Sequence, residues 1–285
     1  MTSLLAGKQC HGALNPLHSL IYFAPEAEEE FSAAGLEKGR MGYFAGRAAA
    51  MGAVGAGVVA ATFYNFSPAL VAAHIPRAWD LAAPASVLTA RLKAVDRVLR
   101  RLLGDSVADD PEVREAAELA TTATEACAAA GRPLYAAHAD LPAPGPAHLA
   151  LWHAVTVLRE YRGDGHLAAL STAGLDGLEA LITHTATGEG FAEEFARHSR
   201  GWSAPEWEAA QARLRARGVL DFEGRLTALG HELRSGVEEV TDGLARAPYE
   251  HLGQAAVERL TEIGGRLSRT ALANGAFPPG VFAGR

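Results

Sequence analysis

Residues 202–230 read Trp202-Ser203-Ala204-Pro205-Glu206-Trp207, then an Ala- and Arg-rich stretch, then Arg217-Gly218-Val219-Leu220. The turn Asp221-Phe222-Glu223-Gly224 and the return Arg225-Leu226-Thr227-Ala228-Leu229-Gly230 complete the segment. The serine hydroxyl can accept a free first-turn N–H, and proline already has helical φ, so Ser203 to Pro205 caps a helix over 206–217. Gly218-Val219-Leu220 begins a short strand, the acidic turn reverses it, and a long helix follows from Ala228 through Asp242. This order of helix, tight hairpin and helix decides the fold class. A fainter version lies upstream. Ala34-Gly35-Leu36, Phe66-Ser67-Pro68 and Leu88-Thr89-Ala90 recur as Ala173-Gly174-Leu175, Trp202-Ser203-Ala204-Pro205 and Leu226-Thr227-Ala228. The offsets are 139, 136 to 137, and 138, a drift that small loop insertions produce.

The segment from Ser203 to Gly230 resembles the winged helix of MarR-type regulators, and the resemblance extends more weakly over Leu149 to Leu244. It implies a recognition helix at Glu206–Arg217 and a wing at Asp221–Gly224. The whole chain also resembles an actinobacterial helix-turn-helix family of unassigned activity. Tyr43-Phe44-Ala45-Gly46-Arg47, Ala61-Thr62-Phe63-Tyr64-Asn65-Phe66 and Arg162-Gly163-Asp164-Gly165-His166 carry that resemblance, which brings no chemistry with it.

The expected fold is therefore mainly α, with tandem degenerate winged-helix units related by the repeat and minimal β-wings. The first unit is expected over 13–140 and the second, MarR-like, over 147–245. A C-terminal helix and tail cover 246–285, and the proline-rich run Leu141–Pro146 marks the boundary. Elsewhere Asn15-Pro16 and Pro25 read as helix starts, Gly35 as a stop, and Met41–Ala50 as a buried helix. The spacing of leucines and valines predicts a helix over Ser86–Leu103. Gly163-Asp164-Gly165 reads as a break between two helices.

With 285 residues, 49% apolar and 21% charged, the chain can bury cores of ordinary size. Two cysteines, Cys10 and Cys127, offer no disulfide framework, and Met1–Gly12 lacks the basic-then-apolar pattern of a signal peptide. No apolar run is long enough to span a bilayer, so a cytoplasmic location without a membrane partner is expected.

Net charge is −7. Duplex DNA is held mainly by phosphate neutralisation on a basic face. Between Phe191 and Gly236 seven carboxylates balance seven arginines, and the expected recognition helix begins with Pro205, Glu206, Trp207 and Glu208. Only Arg213, Arg215 and Arg217 cluster, and the plainer reading is that they pair with nearby carboxylates. DNA reading is disfavoured, and a MarR-like regulator of duplex DNA stays as the alternative.

The chemistry-bearing residues lie elsewhere. Tyr43 and Arg47 share one face of an otherwise apolar helix, where a charge needs a partner. That partner is either a carboxylate of the other half or a ligand's anion. Tyr64 and Asn65 precede a helix N-terminus and are candidate pocket donors. His184 aligns by the repeat near Ala45, beside Arg47. Around one helix in the second half, Trp152, His153, Glu160, Arg162, Asp164 and His166 gather. His153, Asp164 and His166 are the candidate acid–base groups, since a carboxylate beside histidine fixes its tautomer; the plainer alternative makes Asp164 a helix cap. His18, His153, His166 and His184 would be the ligands of a histidine-held metal, although no HxH, HxxxH or HExxH spacing supports one and no metal ligand is assigned. No phosphate loop, dinucleotide fingerprint or nucleophile elbow occurs, and no cofactor is implied. The expected function is binding of a small anionic or phenolic organic molecule, with or without a reaction in specialised metabolism. Tyr43, Arg47, Tyr64, Asn65 and His184 would line its pocket.

Overall fold

The computed structural model describes residues 4–281. The last residues of the expected 246–285 segment lie outside this range. In chain order the helices are α1 (Leu4–Ser19), α2 (Pro25–Ala33), α3 (Arg40–Ala48), α4 (Ala56–Phe63), α5 (Pro68–His74), α6 (Arg77–Leu81), α7 (Pro84–Leu103) and α8 (Pro111–Thr124). They continue as α9 (Pro133–Ala139), α10 (Ala147–Thr172), α11 (Gly177–Thr185), α12 (Glu193–Arg200), α13 (Ala204–Ala216), α14 (Ala228–Leu244), α15 (Ala247–Leu252) and α16 (Gln254–Ala273). The protein is mainly α, and the described residues hold no strand. Where the wing was expected, Leu220 and Leu226 form an isolated antiparallel bridge, and Asp221 N–H donates to Arg225 C=O at 2.9 Å. Among these residues no single helix is long and apolar enough to cross a membrane.

The axis of the molecule is α10, whose 26 residues extend about 39 Å at 1.5 Å per residue. It packs against α1, α7, α8, α9 and α14. Three large hydrophobic clusters line up along it, with a small fourth at Tyr135, Val157 and Tyr161. The first, built from α2 to α7, is completed by Leu149 and Trp152 of α10. The second joins α1, α8 and α16 to Leu151, Ala154, Val155 and Leu158. The third gathers Ala169 and Leu170 with α11, α13 and the hairpin. Helix α13 buries Trp207, Ala210 and Leu214, spaced three and four residues apart, so one face is apolar and the other meets water. Its start carries a full capping box, with Ser203 and Glu206 satisfying each other's backbone donors.

Two local expectations need correcting. Asn15-Pro16 does not open a helix: Pro16 lies inside α1, near its C-terminal end, and the chain continues as a 3-10 turn over Leu20–Phe23. A proline there removes one late hydrogen bond, which the packing of α1 on α16 and α10 outweighs. Nor does Gly163-Asp164-Gly165 break a helix, because α10 runs straight through it. Each glycine costs roughly 1 kcal/mol of helix propensity, but Gly165 lets other groups come close. A Cβ there would stand 2.8 Å from Arg132 Nη1 and 3.3 Å from Leu244 Cβ.

The repeat anchors differ in what they do. Ala34-Gly35-Leu36 and Ala173-Gly174-Leu175 close their helices alike: each glycine has positive φ, and Leu36 and Leu175 donate back to Phe31 and Leu170 at 3.0 and 3.1 Å. Thr227 caps α14 through Gly230 N–H, whereas Thr89 lies in the middle of α7, bonded to Ala85 C=O.

Candidate functional site

Helix α3 is narrow on one side. Cβ atoms at Gly42 and Gly46 would press into the Phe31 ring at 2.8 and 2.5 Å, so the glycines let α2 and α3 close together. That contact turns the next face, with Tyr43 and Arg47, toward α7 and α10. Arg47 is 7% exposed and Glu160 of α10 is fully buried. Arg47 Nε and Nη2 donate to the two Glu160 oxygens at 2.8 and 2.7 Å, a two-pronged pair in a dry interior. Arg159 Nη1 adds a third bond at 2.6 Å, and the Arg47 guanidinium lies 4.5 Å over Phe63. Burial alone would raise the Glu160 carboxyl, but Arg159 and Arg47 outweigh it and hold it well below the usual range. The structure thus supplies Arg47 with the carboxylate of the other half.

Beside this pair lies a cavity of about 350 Å³, walled by Tyr22, Phe23, Phe31, Tyr43, Arg47 and Arg91, with Glu28, Glu37 and Lys38 also lining it. Its size is within the range of small-ligand pockets. Arg91, on α7, is the residue that sequence reasoning missed. It is 3% exposed, its guanidinium sits 4.8 Å from the Trp152 ring, and Nη1 donates to His138 Nε2 at 2.9 Å. Its Nη2 is buried with no hydrogen-bond partner, and no carboxylate lies within ion-pair distance among the described residues. Burial pulls this guanidinium below its ordinary value, opposed by the charges of Tyr22 and Glu160 and by a side-chain hydrogen bond with Tyr22. The signal was present in α7, where Val87, Ala90, Ala94, Val95 and Val98 form the buried stripe and Arg91 falls within it.

Other predicted residues are placed differently. Tyr64, at positive φ, donates its hydroxyl to Leu175 C=O at 2.6 Å, and Asn65 C=O accepts from Trp202 Nε1 at 2.9 Å. Both fasten the first half to α11–α13 and lie outside the cavity lining. His184 belongs to a separate polar cluster with His166, Arg234 and Glu238. His166 Nδ1 meets Thr241 Oγ1 at 2.9 Å, and burial pulls His166 down to about 4 and lowers His184 as well. Asp164 accepts from Tyr135 N–H at 2.9 Å, so its carboxylate caps the start of α9 rather than its own helix. Burial raises its pKa. His153 is half-buried on α10, its pKa lowered by burial and then by Arg91. Asp164 and His166 therefore meet different partners. His18 is bonded to Tyr22 and Thr156, and no group of three or more His, Cys, Asp or Glu among the described residues could hold a metal ion.

The arginines of α13 are engaged. Arg213 donates to Glu179 and Asp176 at 2.9 and 2.7 Å, and Arg217 reaches Glu179 at 3.1 Å. Arg215 bonds Asp221 C=O at 3.3 Å, and Arg225 is tied to Asp221 and Glu223. The exposed positions of the first turn include Pro205, Glu206 and Glu208.

A family model described as a helix-turn-helix family matches residues 7–278. No match was found among curated proteins or among solved structures. The chain belongs to this helix-turn-helix family.

Proposed function

From that membership and from the cavity beside α3, we propose that the protein binds a small organic anion on a helix-turn-helix scaffold that has given up DNA. In this reading α11–α14 form a degenerate winged-helix unit, and the first half is its diverged counterpart. The shared closure at Gly35 and Gly174, and the Ser67 and Ser203 positions ahead of α5 and α13, support the relation.

The observation that carries the ligand assignment is Arg91. A buried guanidinium without a carboxylate is costly, and an anionic ligand in the cavity it lines would complete it. Arg47 and Arg159 share the single buried carboxylate Glu160, and Arg91 adds a buried cation with no carboxylate of its own, while Glu37 of the cavity rim is already paired with Arg77. The rings of Phe23, Phe31 and Tyr43 supply walls for an apolar body.

Calorimetric titration with phenylacetate tests the reading. Arg91→Met should weaken binding by about 10- to 100-fold, the worth of one charge-assisted hydrogen-bonded contact. Equal affinity in wild type and variant would refute the assignment. Mass spectrometry of the purified protein should find an organic acid with the wild type and none with the variant.

A further inference from the structure

We propose that the outer face of α14 docks a basic amphipathic helix of another protein. No residue of α14 lines the anion cavity, so the two surfaces are separate and neither depends on the other.

Helix α14 turns Gly230, Arg234, Val237 and Thr241 into the protein. Beside that buried face runs a second apolar strip. Leu229 and Val240 are 51% and 50% exposed, and Leu233 between them is half-buried. Gly236 and Gly243 complete the strip. A Cβ at either glycine would meet nothing within 4 Å among the described residues, so neither glycine serves a close contact inside the molecule. Both nevertheless weaken the helix they sit in. The positions 229, 233, 236, 240 and 243 alternate steps of four and three, which is the seam of a coiled coil. A single exposed leucine needs no explanation, but a strip in heptad register with two open gaps fits the knobs of an incoming helix.

Charge states which helix. One flank of the strip adjoins the protein itself through Gly230 and Val237. The other carries Glu232 and Glu239, one heptad apart, exposed and without an ion-pair partner among the described residues. From these positions coiled-coil helices choose partners by charge. A second copy of α14 has no cation to return: run antiparallel it sets Glu232 against Glu239, and run parallel it offers Gly230, Val237 and Leu244. Size points the same way. At 1.5 Å per residue the strip is about 22 Å long and one helix wide, far short of the roughly 800 Å² that each partner gives to a standard interface. The occupant is therefore one helix, with apolar residues three and four apart and lysines or arginines seven apart along its edge.

Fluorescence anisotropy with a labelled helix of about three heptads tests this, with leucine at the seam and lysine on both flanks to keep it from pairing with itself. A twin helix carries glutamate in place of lysine. At about 50 mM salt the protein should bind the lysine helix about tenfold tighter than its twin, the worth of two flanking charge pairs turned from repulsive to attractive. Glu232→Lys with Glu239→Lys should invert that preference. Leu229→Gln with Val240→Gln, both at exposed positions, should weaken the lysine helix by about tenfold at unchanged Tm. Failure to bind the lysine helix, equal affinity for the twins, or a preference that survives the charge reversal would overturn the proposal. So would an affinity that the glutamine pair leaves unchanged. A dimer of the protein alone in sedimentation, abolished by the glutamine pair, would overturn it in favour of a second copy.

Discussion

Replacing Glu160 with Gln puts the central electrostatic argument at risk. The side chain keeps its shape but loses its charge, and its amide turns donors toward groups that already donate. Glu160 is fully buried and accepts three N–H bonds, at 2.8 and 2.7 Å from Arg47 and at 2.6 Å from Arg159. Arg159 is 30% exposed and can turn to water, so the uncompensated charge is that of Arg47. Breaking one side of a buried pair costs about 3–5 kcal/mol, of which the Phe63 ring can return only about 1. The expected loss is therefore about 2–4 kcal/mol in urea unfolding at pH 7 with an unchanged slope, and roughly 3–7 °C in Tm. A loss under about 1 kcal/mol would refute the reasoning. The double replacement Arg47→Met with Glu160→Met is the control, because exchanging a whole buried pair for apolar groups is often close to neutral. The sign with pH is also fixed. Glu160 is depressed when folded, so its contribution is full above the ordinary carboxylate range near about 4.3 and drains away as pH falls below it. The Gln variant should lack that component.

Three further outcomes follow from features away from the pair. Gly177→Ala places a Cβ on the Tyr64 carbonyl, a backbone group that cannot yield locally; thermal unfolding should show a loss of about 1–3 kcal/mol, and an unchanged Tm would refute the contact. Because Arg213 and Arg217 are held by Glu179, a mobility-shift assay with duplex DNA at about 50 mM salt should show no shift, and a salt-sensitive shift would revive the regulator alternative. His166 is pulled down to about 4, below its unfolded value near 6.5, so its contribution is full above about 6.5 and declines as pH falls toward about 4. His166→Asn should flatten the stability–pH slope in that window by up to one proton, and an identical slope would exclude this residue as its source.

What could be read in advance was local. Pro25, Gly35 and the stripe of α7 mark elements that form as expected, because capping and periodicity act within one or two turns. Gly165 misled because its purpose is tertiary: the missing side chain serves Arg132 and Leu244, which lie far off in sequence, whereas Gly163 has only Arg159 and Glu160 of its own helix beside it. The same holds for the site. Arg47 announced itself as a charge on an apolar face, and its need for a carboxylate of the other half was foreseeable. Which carboxylate answered it was not, nor was Arg91, whose significance depends on having no anion near it once α7, α9 and α10 have packed. Thr89 and Thr227 show the limit of matched triplets, since similar residues serve as mid-helix filler in one place and as a cap in the other.

The separation of 113 positions between Arg47 and Glu160 has a consequence for biosynthesis. At about 5–20 residues per second, the arginine leaves the ribosome roughly 5–25 s before its carboxylate exists. During that interval α2 to α7 can collapse on one another but cannot bury a lone cation. Nor can they finish their core, since Leu149 and Trp152 also arrive late. The nascent first half should therefore stay open and accessible to chaperones or proteases, and it should close in one step when α10 is made.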